Sequence, residues 1–109
     1  MKVLFAPQVR LSFRELIETL FEKEYFGFEE SAVLYVRELF FEIRDTLPLC
    51  HKKPAPNYFN RYGENLFYSV FKKNQRTQWY VFFSIHIQNG ETIYLVRYIS
   101  NNHIVSQHL

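Results

Sequence analysis

The residue whose type and position most clearly suggest chemistry is Arg97, a guanidinium in the middle of an apolar stretch, 94–99. An arginine that is partly removed from water can hold a phosphate through two parallel hydrogen bonds. The alternative is an arginine whose stem stacks on Tyr80 or Phe82 while its charged head stays in water. Both interpretations place Arg97 in the middle of a strand.

A second group of basic residues, Lys72, Lys73 and Arg76, flanks a turn between two strand-forming stretches. If Asn74 and Gln75 form a two-residue loop, Lys73 lies directly opposite Arg76, and a bound phosphate would relieve the repulsion. The pattern is equally typical of an ordinary solvated turn.

Two histidines, His103 and His108, follow the last strand-forming stretch in a polar tail. Imidazole titrates near neutral pH, so either residue is a candidate for proton transfer, although tail histidines are often inert. The spacing of the four histidines and the single cysteine does not suggest a zinc site, and no metal or other cofactor is expected. Ser69, Ser84 and Ser100 have no context that marks a nucleophile.

The last third of the chain must position these groups. Stretches 66–72, 79–87 and 92–99 are rich in aromatic and β-branched residues, and Asn89 with Gly90 is a strong hairpin signal between the last two. A three-stranded antiparallel sheet is therefore predicted. Counting back from the turn gives the pairs Gln88 with Glu91, His86 with Ile93, Ser84 with Leu95, Phe82 with Arg97 and Tyr80 with Ile99.

The opposite face of this predicted sheet is apolar and must be covered. It carries Trp79, Val81, Phe83, Ile85, Tyr94, Val96 and Tyr98. By this register Tyr94 and Tyr98 face the covering layer, which favours a role in the core.

The first half of the chain supplies the cover. A short strand, 2–6, ends at Pro7, and apolar residues then recur at helical spacing over 8–23 and, after Gly27, over 29–46. The short break predicts an antiparallel helical hairpin. The proline-containing stretch 47–57 is predicted to be an extended connector.

The second predicted helix has more apolar residues than one buried face needs. The main stripe contains Phe28, Ala32, Tyr35, Val36, Leu39 and Ile43, and the extra residues are Val33, Leu34, Phe40 and Phe41. This helix either lies between the sheet and the first helix or leaves a surface for a partner. The overall prediction is one α+β domain over 1–109: a short N-terminal strand, a helical hairpin and a three-stranded antiparallel sheet.

Charge is distributed unevenly along the chain. Residues 1–46 hold six Lys/Arg against nine Asp/Glu, a net charge of −3, whereas residues 47–109 hold seven against two, a net charge of +5. Such asymmetry indicates a polyanionic partner or attraction between the two halves. The lone cysteine, Cys50, and the absence of a long apolar segment predict a cytoplasmic protein that does not enter a membrane.

The order of elements resembles that of the RelE/ParE superfamily, the small toxins of bacterial type II toxin–antitoxin pairs. The opening MKVLFAP, the charged turn KKNQRT running into WYVFF, and the final YLVRYISNNH carry the resemblance, which covers essentially the whole chain. It implies a small sheet against a helical pair. Many members cleave messenger RNA on the ribosome without a metal, using basic residues of the sheet and a residue near the C-terminus.

The chain departs from that family at two places. Many members have an arginine near the start of the middle strand, where this chain has Trp79 or Tyr80, and another after the last strand, where it has Asn101, Asn102 and His103. Trp79, Tyr80 and His103 are therefore candidate substitutes, with aromatic stacking on bases in place of a charge.

The resemblance thus implies a toxin that acts as a metal-independent, ribosome-dependent messenger-RNA endoribonuclease and is neutralised by a cognate antitoxin. Arg97 would hold the scissile phosphate, while His103 or His108 would move the proton. Lys72, Lys73, Arg76 and Tyr80 would bind the flanking RNA. The alternatives are a non-enzymatic, ParE-like inhibitor of DNA gyrase and an inactive relative that only binds its antitoxin.

Overall fold

Helices and strands alternate with short 3₁₀ turns in the computed structural model, which describes residues 1–23 and 27–109. The strands are β1 (Lys2–Phe5), β2 (Lys53–Pro54), β3 (Phe67–Lys72), β4 (Gln78–Gln88) and β5 (Glu91–Asn101). The helices are α1 (Pro7–Glu22), α2 (Glu29–Thr46) and the short α3 (Asn102–Val105), and 3₁₀ turns cover Leu47–Leu49, Asn57–Tyr62 and Ser106–His108. The predicted α+β class is confirmed.

The sheet has five strands in the order β1-β5-β4-β3-β2, where the sequence predicts a three-stranded sheet. The predicted N-terminal strand exists and joins the edge of the sheet, parallel to β5. Since a parallel pair needs a crossover, α1 and α2 lie in the connection between these two strands. The fifth strand, β2, arises within the predicted connector and pairs with β3.

Helices α1 and α2 pack on one face of the sheet. Pro7 is the first residue of α1, a position whose N–H has no partner within the helix, so its absence costs no hydrogen bond. The carboxylates of Glu29 and Glu30 lie in the first turn of α2 and interact favourably with the positive end of the helix dipole. The buried core on this side contains Phe5, Ala6, Val9, Phe13, Val36, Leu39, Ile43, Leu47, Phe71, Trp79, Val81, Phe83, Tyr94 and Val96.

Two phenylalanines in and beside α2 do not lie where the predicted stripe places them. Phe28, expected in the stripe, is 71% exposed, whereas Phe40 packs on Phe5 with ring centroids 4.5 Å apart. Leu34 and Phe41 remain exposed. The surplus of apolar residues is therefore divided between the core and the outer surface of the helix.

The opposite face of the sheet is also covered, which the sequence does not predict. The 3₁₀ turn Asn57–Tyr62 and the C-terminal tail pack over it around Phe59, Leu66, Phe82 and Val105. The tyrosines that surround this second core are Tyr58, Tyr62, Tyr68, Tyr80 and Tyr98. We call this side of the sheet the tyrosine face.

The hairpin register is confirmed near its turn, from Gln88 opposite Glu91 back to Ser84 opposite Leu95. Further on it is wrong. A β-bulge lies between Phe82 and Phe83 on β4, where Phe83 pairs with Val96 but Phe82 pairs with Tyr98 rather than with Arg97.

Arg97 is the extra residue of this bulge, and every later residue of β5 is shifted by one position. Tyr80 therefore pairs with Ser100 and not with Ile99. Because side chains alternate between the faces, the shift moves Tyr98 from the predicted helical side to the tyrosine face.

Helices long and apolar enough to cross a membrane are absent from the described parts of the chain.

Candidate functional site

The bulge directs Arg97 into a cleft between the first turns of α1 and the end of the 3₁₀ turn Asn57–Tyr62. This cleft has a volume of about 510 Å³. The polar and charged residues around it are Gln8, Ser12, Asn60, Arg61, Glu64 and Arg97, together with Tyr62, Gly63 and Tyr98. We call it the Arg97 cleft.

Gly63 allows the guanidinium to lie close to the backbone. Its φ of 154° is a conformation that residues with a side chain rarely adopt. A Cβ at this position would lie 3.2 Å from Leu66 Cδ2 and 3.5 Å from Arg97 Cζ. The backbone conformation of this wall of the cleft and its close approach to Leu66 therefore require glycine.

Arg97 is half-buried, and within residues 1–23 and 27–109 it forms neither an ion pair nor a cation–π contact. The predicted alternative, a stack on Tyr80 or Phe82, is thus not the arrangement found. Glu64 lines the same cleft without a salt bridge to Arg97. The guanidinium keeps its capacity to bind an anion.

A second arginine of the cleft, Arg61, is fixed against Tyr58. Its Cζ lies 3.9 Å from the centre of the Tyr58 ring, and its Nε donates to the Tyr58 carbonyl oxygen at 3.0 Å. His108 stacks on the same ring, with centroids 3.4 Å apart and planes inclined by 4°. Two groups so close to one ring centre must cover opposite faces of that ring.

The floor of this region is a second aromatic stack. Tyr62 and Tyr98 are parallel, with centroids 3.7 Å apart. Burial, together with the neighbouring Tyr98 hydroxyl, raises the pKa of Tyr62 to about 12. A tyrosine phenol is neutral at physiological pH, and the raised pKa keeps this one protonated, and able to donate a hydrogen bond, in alkaline solution as well.

The basic turn has a geometry different from the predicted one. It is a five-residue connection, 73–77, in which Asn74 Oδ1 accepts hydrogen bonds from the amides of Arg76 and Thr77. Lys73 does not face Arg76. Its Nζ lies 3.9 Å from Glu42 Oε2 and 5.4 Å from the Tyr35 ring, so the turn is fastened to α2.

Lys72 and Arg76 are exposed and free to contact a polyanion. Tyr80 is half-buried on the tyrosine face beside Tyr68, with ring centroids 5.8 Å apart. Trp79 is unsuited to stacking on a base, because it is buried on the helical side and its Nε1 donates to the Tyr35 hydroxyl at 3.0 Å.

His103 lies on α3 at a different cleft, of about 370 Å³, that it shares with Thr19, Lys23, Thr77 and Trp79. Asn102 connects α3 to the basic turn: its Oδ1 accepts from the Gln78 amide at 3.0 Å, and its Nδ2 donates to the Arg76 carbonyl oxygen.

The predicted site residues thus fall into two groups. Ser12 lines the Arg97 cleft and Thr19 lines the His103 cleft, and seven residues of helix separate them by about 10 Å. One phosphate cannot be reached from both clefts by direct hydrogen bonds. On the side of the Arg97 cleft, Arg61 lines the cleft together with Arg97 and contacts Tyr58, on which His108 stacks.

Sequence reasoning missed Arg61, Tyr58, Gly63 and a hydrogen bond between Ser84 Oγ and His86 Nε2 of 2.8 Å. The Ser84 pair lies on β4 outside both clefts, and the described residues contain no carboxylate bonded to it. For Tyr58, Arg61 and Gly63 the available signal was the segment 57–63, in which aromatic residues stand beside asparagine, arginine and glycine. Groups of His, Cys, Asp or Glu that could hold a metal ion are absent from the described ranges.

Comparisons with known protein families, with curated proteins and with solved structures find no match to this chain.

Proposed function

We propose that this protein is a RelE/ParE-type toxin that cleaves messenger RNA on the ribosome and uses the Arg97 cleft to hold the scissile phosphate. The observation that carries the proposal is the half-buried Arg97 without an ion-pair partner among the described residues. The parallel pairing of β1 with β5 beside antiparallel strands, under a helical pair, supports the same scaffold.

The physical argument begins with charge. Partial burial removes some of the water around a guanidinium, which costs free energy. Without a carboxylate partner, no ion pair within the protein offsets that cost. A phosphodiester would offset it through two charge-assisted hydrogen bonds. Arg61, fixed on Tyr58 at the same cleft, supplies a second cation for the negative charge that develops on the phosphorane oxygens.

Cleavage without a metal needs a proton to leave the attacking 2′-hydroxyl and another to reach the departing 5′-oxygen. Of the two tail histidines, His108 stacks on the Tyr58 ring that Arg61 of this cleft also contacts. We assign to its imidazole the uptake of the 2′-hydroxyl proton, and a water molecule would protonate the departing 5′-oxygen. His103, Lys72 and Arg76 lie toward the other end of β5 and would contact RNA further along the strand. Lys73 would act mainly by holding the turn against Glu42.

The cognate antitoxin is the proposed protein partner, and the cytoplasm is the proposed location, since ribosomes are the target. Exposed apolar side chains on and beside α2 offer it a surface: Phe28, Leu34 and Phe41 are 71%, 56% and 38% exposed. Leu34 and Phe41 are seven residues apart and therefore lie on the same side of α2, and Phe28 immediately precedes the helix. Exposed apolar side chains of this kind are often covered by a partner.

The test is pulse labelling of protein and DNA synthesis after brief induced expression of the wild type, Arg97→Ala and Arg97→Lys. We expect the wild type to stop translation first. Arg97→Ala should slow cleavage of ribosome-bound messenger RNA by about 100-fold or more, the usual effect of removing a group that stabilises transition-state charge. Lysine keeps the charge but not the bidentate geometry, so Arg97→Lys should recover only part of the activity.

Arg14→Ala on the exposed side of α1 is the matched control and should remain toxic. A folded Arg97→Ala protein that is still fully toxic would remove the assignment. Loss of DNA synthesis before translation would instead indicate a gyrase inhibitor, and a wild type without any growth defect would indicate a protein that only binds its antitoxin.

A further inference from the structure

The ring of Tyr58 is held between two planar groups that differ in how firmly they are anchored. Arg61 is bonded to the Tyr58 carbonyl oxygen and cannot leave without breaking that bond. His108 belongs to the 3₁₀ turn Ser106–His108. Its ring meets Phe59 edge-on with centroids 6.4 Å apart, and none of its hydrogen bonds within the described chain involves the imidazole. The tail is anchored further back, by the buried Val105.

The geometry of the His108 contact is that of base stacking. The planes of the two rings are parallel within 4°, and the ring centroids are 3.4 Å apart. Imidazole is also the five-membered ring of a purine, so the side chain occupies the position and orientation that a nucleobase would take on a tyrosine platform. Stacking of single-stranded bases on aromatic side chains is a common mode of RNA recognition.

The Tyr58 ring lies beside the Arg97 cleft. Arg61 lines that cleft, and its guanidinium Cζ lies 3.9 Å from the centre of the Tyr58 ring, so a phosphate held by this guanidinium lies close to the ring. A nucleotide whose phosphate lies between Arg61 and Arg97 can therefore place its own base or the neighbouring one on Tyr58.

We infer that Tyr58 is a nucleobase-binding platform for single-stranded RNA, and that His108 occupies it in the free protein and is displaced when RNA binds. This inference rests on the proposed function and deepens it. Displacement would free the His108 imidazole when the substrate arrives. The buried Val105 keeps the tail beside the cleft, so the histidine that is assigned to proton transfer can then turn toward the bound RNA.

The experiment measures binding of a short fluorescent single-stranded RNA by anisotropy. The RNA carries 2′-O-methyl groups throughout, so it cannot be cleaved. Because His108 competes with the base, His108→Ala should bind about two- to tenfold more tightly than the wild type, the range expected for the loss of one aromatic pair. Tyr58→Leu should bind at least about fivefold more weakly, while Tyr58→Phe keeps the affinity because stacking does not need the hydroxyl.

Gln107→Ala, an exposed neighbour in the same tail, is the matched control and should bind as the wild type does. A second measurement does not depend on affinity. The ring current of Tyr58 should displace the His108 imidazole proton resonances in the free protein, and saturating RNA should move them to the positions of an unstacked histidine.

Failure of this inference can be separated from failure of the proposed function. If RNA binds the wild type and binding is lost in Arg97→Ala, but His108→Ala does not bind more tightly or the His108 resonances do not move, the platform is disproved and the toxin proposal stands. If the wild type does not bind this RNA at all, the platform is overturned, whereas the toxin proposal is decided separately by the pulse labelling of protein synthesis.

Discussion

Gly63 is a residue of the Arg97 cleft that tolerates no side chain without strain. With φ at 154°, an added Cβ would strain the backbone and lie only 3.2 Å from Leu66 Cδ2. We expect Gly63→Ala to lower the free energy of unfolding by about 1–3 kcal/mol. It should also weaken RNA binding beyond what the loss of folded protein explains, because the strained backbone at Gly63 and Glu64, which line the cleft, must shift. Urea denaturation and anisotropy at a temperature where the variant is folded measure the two effects.

Gly27 provides the comparison for this substitution. Nothing lies within 4 Å of a Cβ added there, so Gly27→Ala should change the unfolding free energy by no more than about 0.5 kcal/mol. Equal effects of the two substitutions would show that Gly63 has no special role in the cleft.

Arg97 itself was predictable, whereas its surroundings were not. A single cation within an apolar strand is a visible anomaly in the sequence. Gly63 and Arg61 approach it only because the 3₁₀ turn Asn57–Tyr62 folds back over the sheet, and these residues lie more than thirty positions away along the chain. No local pattern encodes a contact of that range.

At the scale of elements, the turn of Asn89 and Gly90 fixed the register of the hairpin correctly up to the bulge. Beyond the bulge the predicted register was wrong. The alternation of apolar and polar residues specifies a strand register only when one face of the sheet is buried and the other is exposed to solvent. Here helices cover one face and the 57–62 turn with the tail covers the other, so residues such as Tyr98 fit either side.

Asn102 couples two elements that both carry candidate RNA contacts. Its side chain bonds to the Gln78 amide and the Arg76 carbonyl oxygen, and so holds the 73–77 turn against α3. Asn102→Ala removes both bonds and leaves the Gln78 N–H without its acceptor. We expect a loss of about 1 kcal/mol in unfolding free energy, and faster amide hydrogen exchange at Gln78 than in the wild type.

Gln75→Ala, at the exposed tip of the same turn, should leave that exchange rate unchanged. If the Gln78 amide exchanges equally slowly in Asn102→Ala, the turn is held by its own backbone bonds and by Lys73 rather than by α3.

At the scale of the whole molecule, the uneven distribution of charge along the chain can either hold its two halves together or attract a charged partner. The acidic half, 1–46, and the basic half, 47–109, meet in few ion pairs. Among the described residues these are Lys2 with Glu91 and Lys73 with Glu42, and both are 3.9 Å long and partly exposed. Exposed pairs of this kind contribute little stability. The surplus positive charge of the basic half is therefore available to a partner.

The salt dependence of RNA affinity and of stability distinguishes the two roles of this charge, binding a polyanion and holding the two halves of the chain together. If the basic half binds RNA through roughly two to three phosphates, the logarithm of the affinity for the 2′-O-methyl RNA should fall with the logarithm of salt concentration with a slope of about −1.4 to −2. Over the same salt range the free energy of unfolding should change by less than about 1 kcal/mol, because only exposed pairs are screened. Anisotropy and urea denaturation in matched buffers measure both. A protein that salt destabilises strongly while its RNA affinity stays constant would show the opposite, namely that the two halves of the chain neutralise each other within the fold.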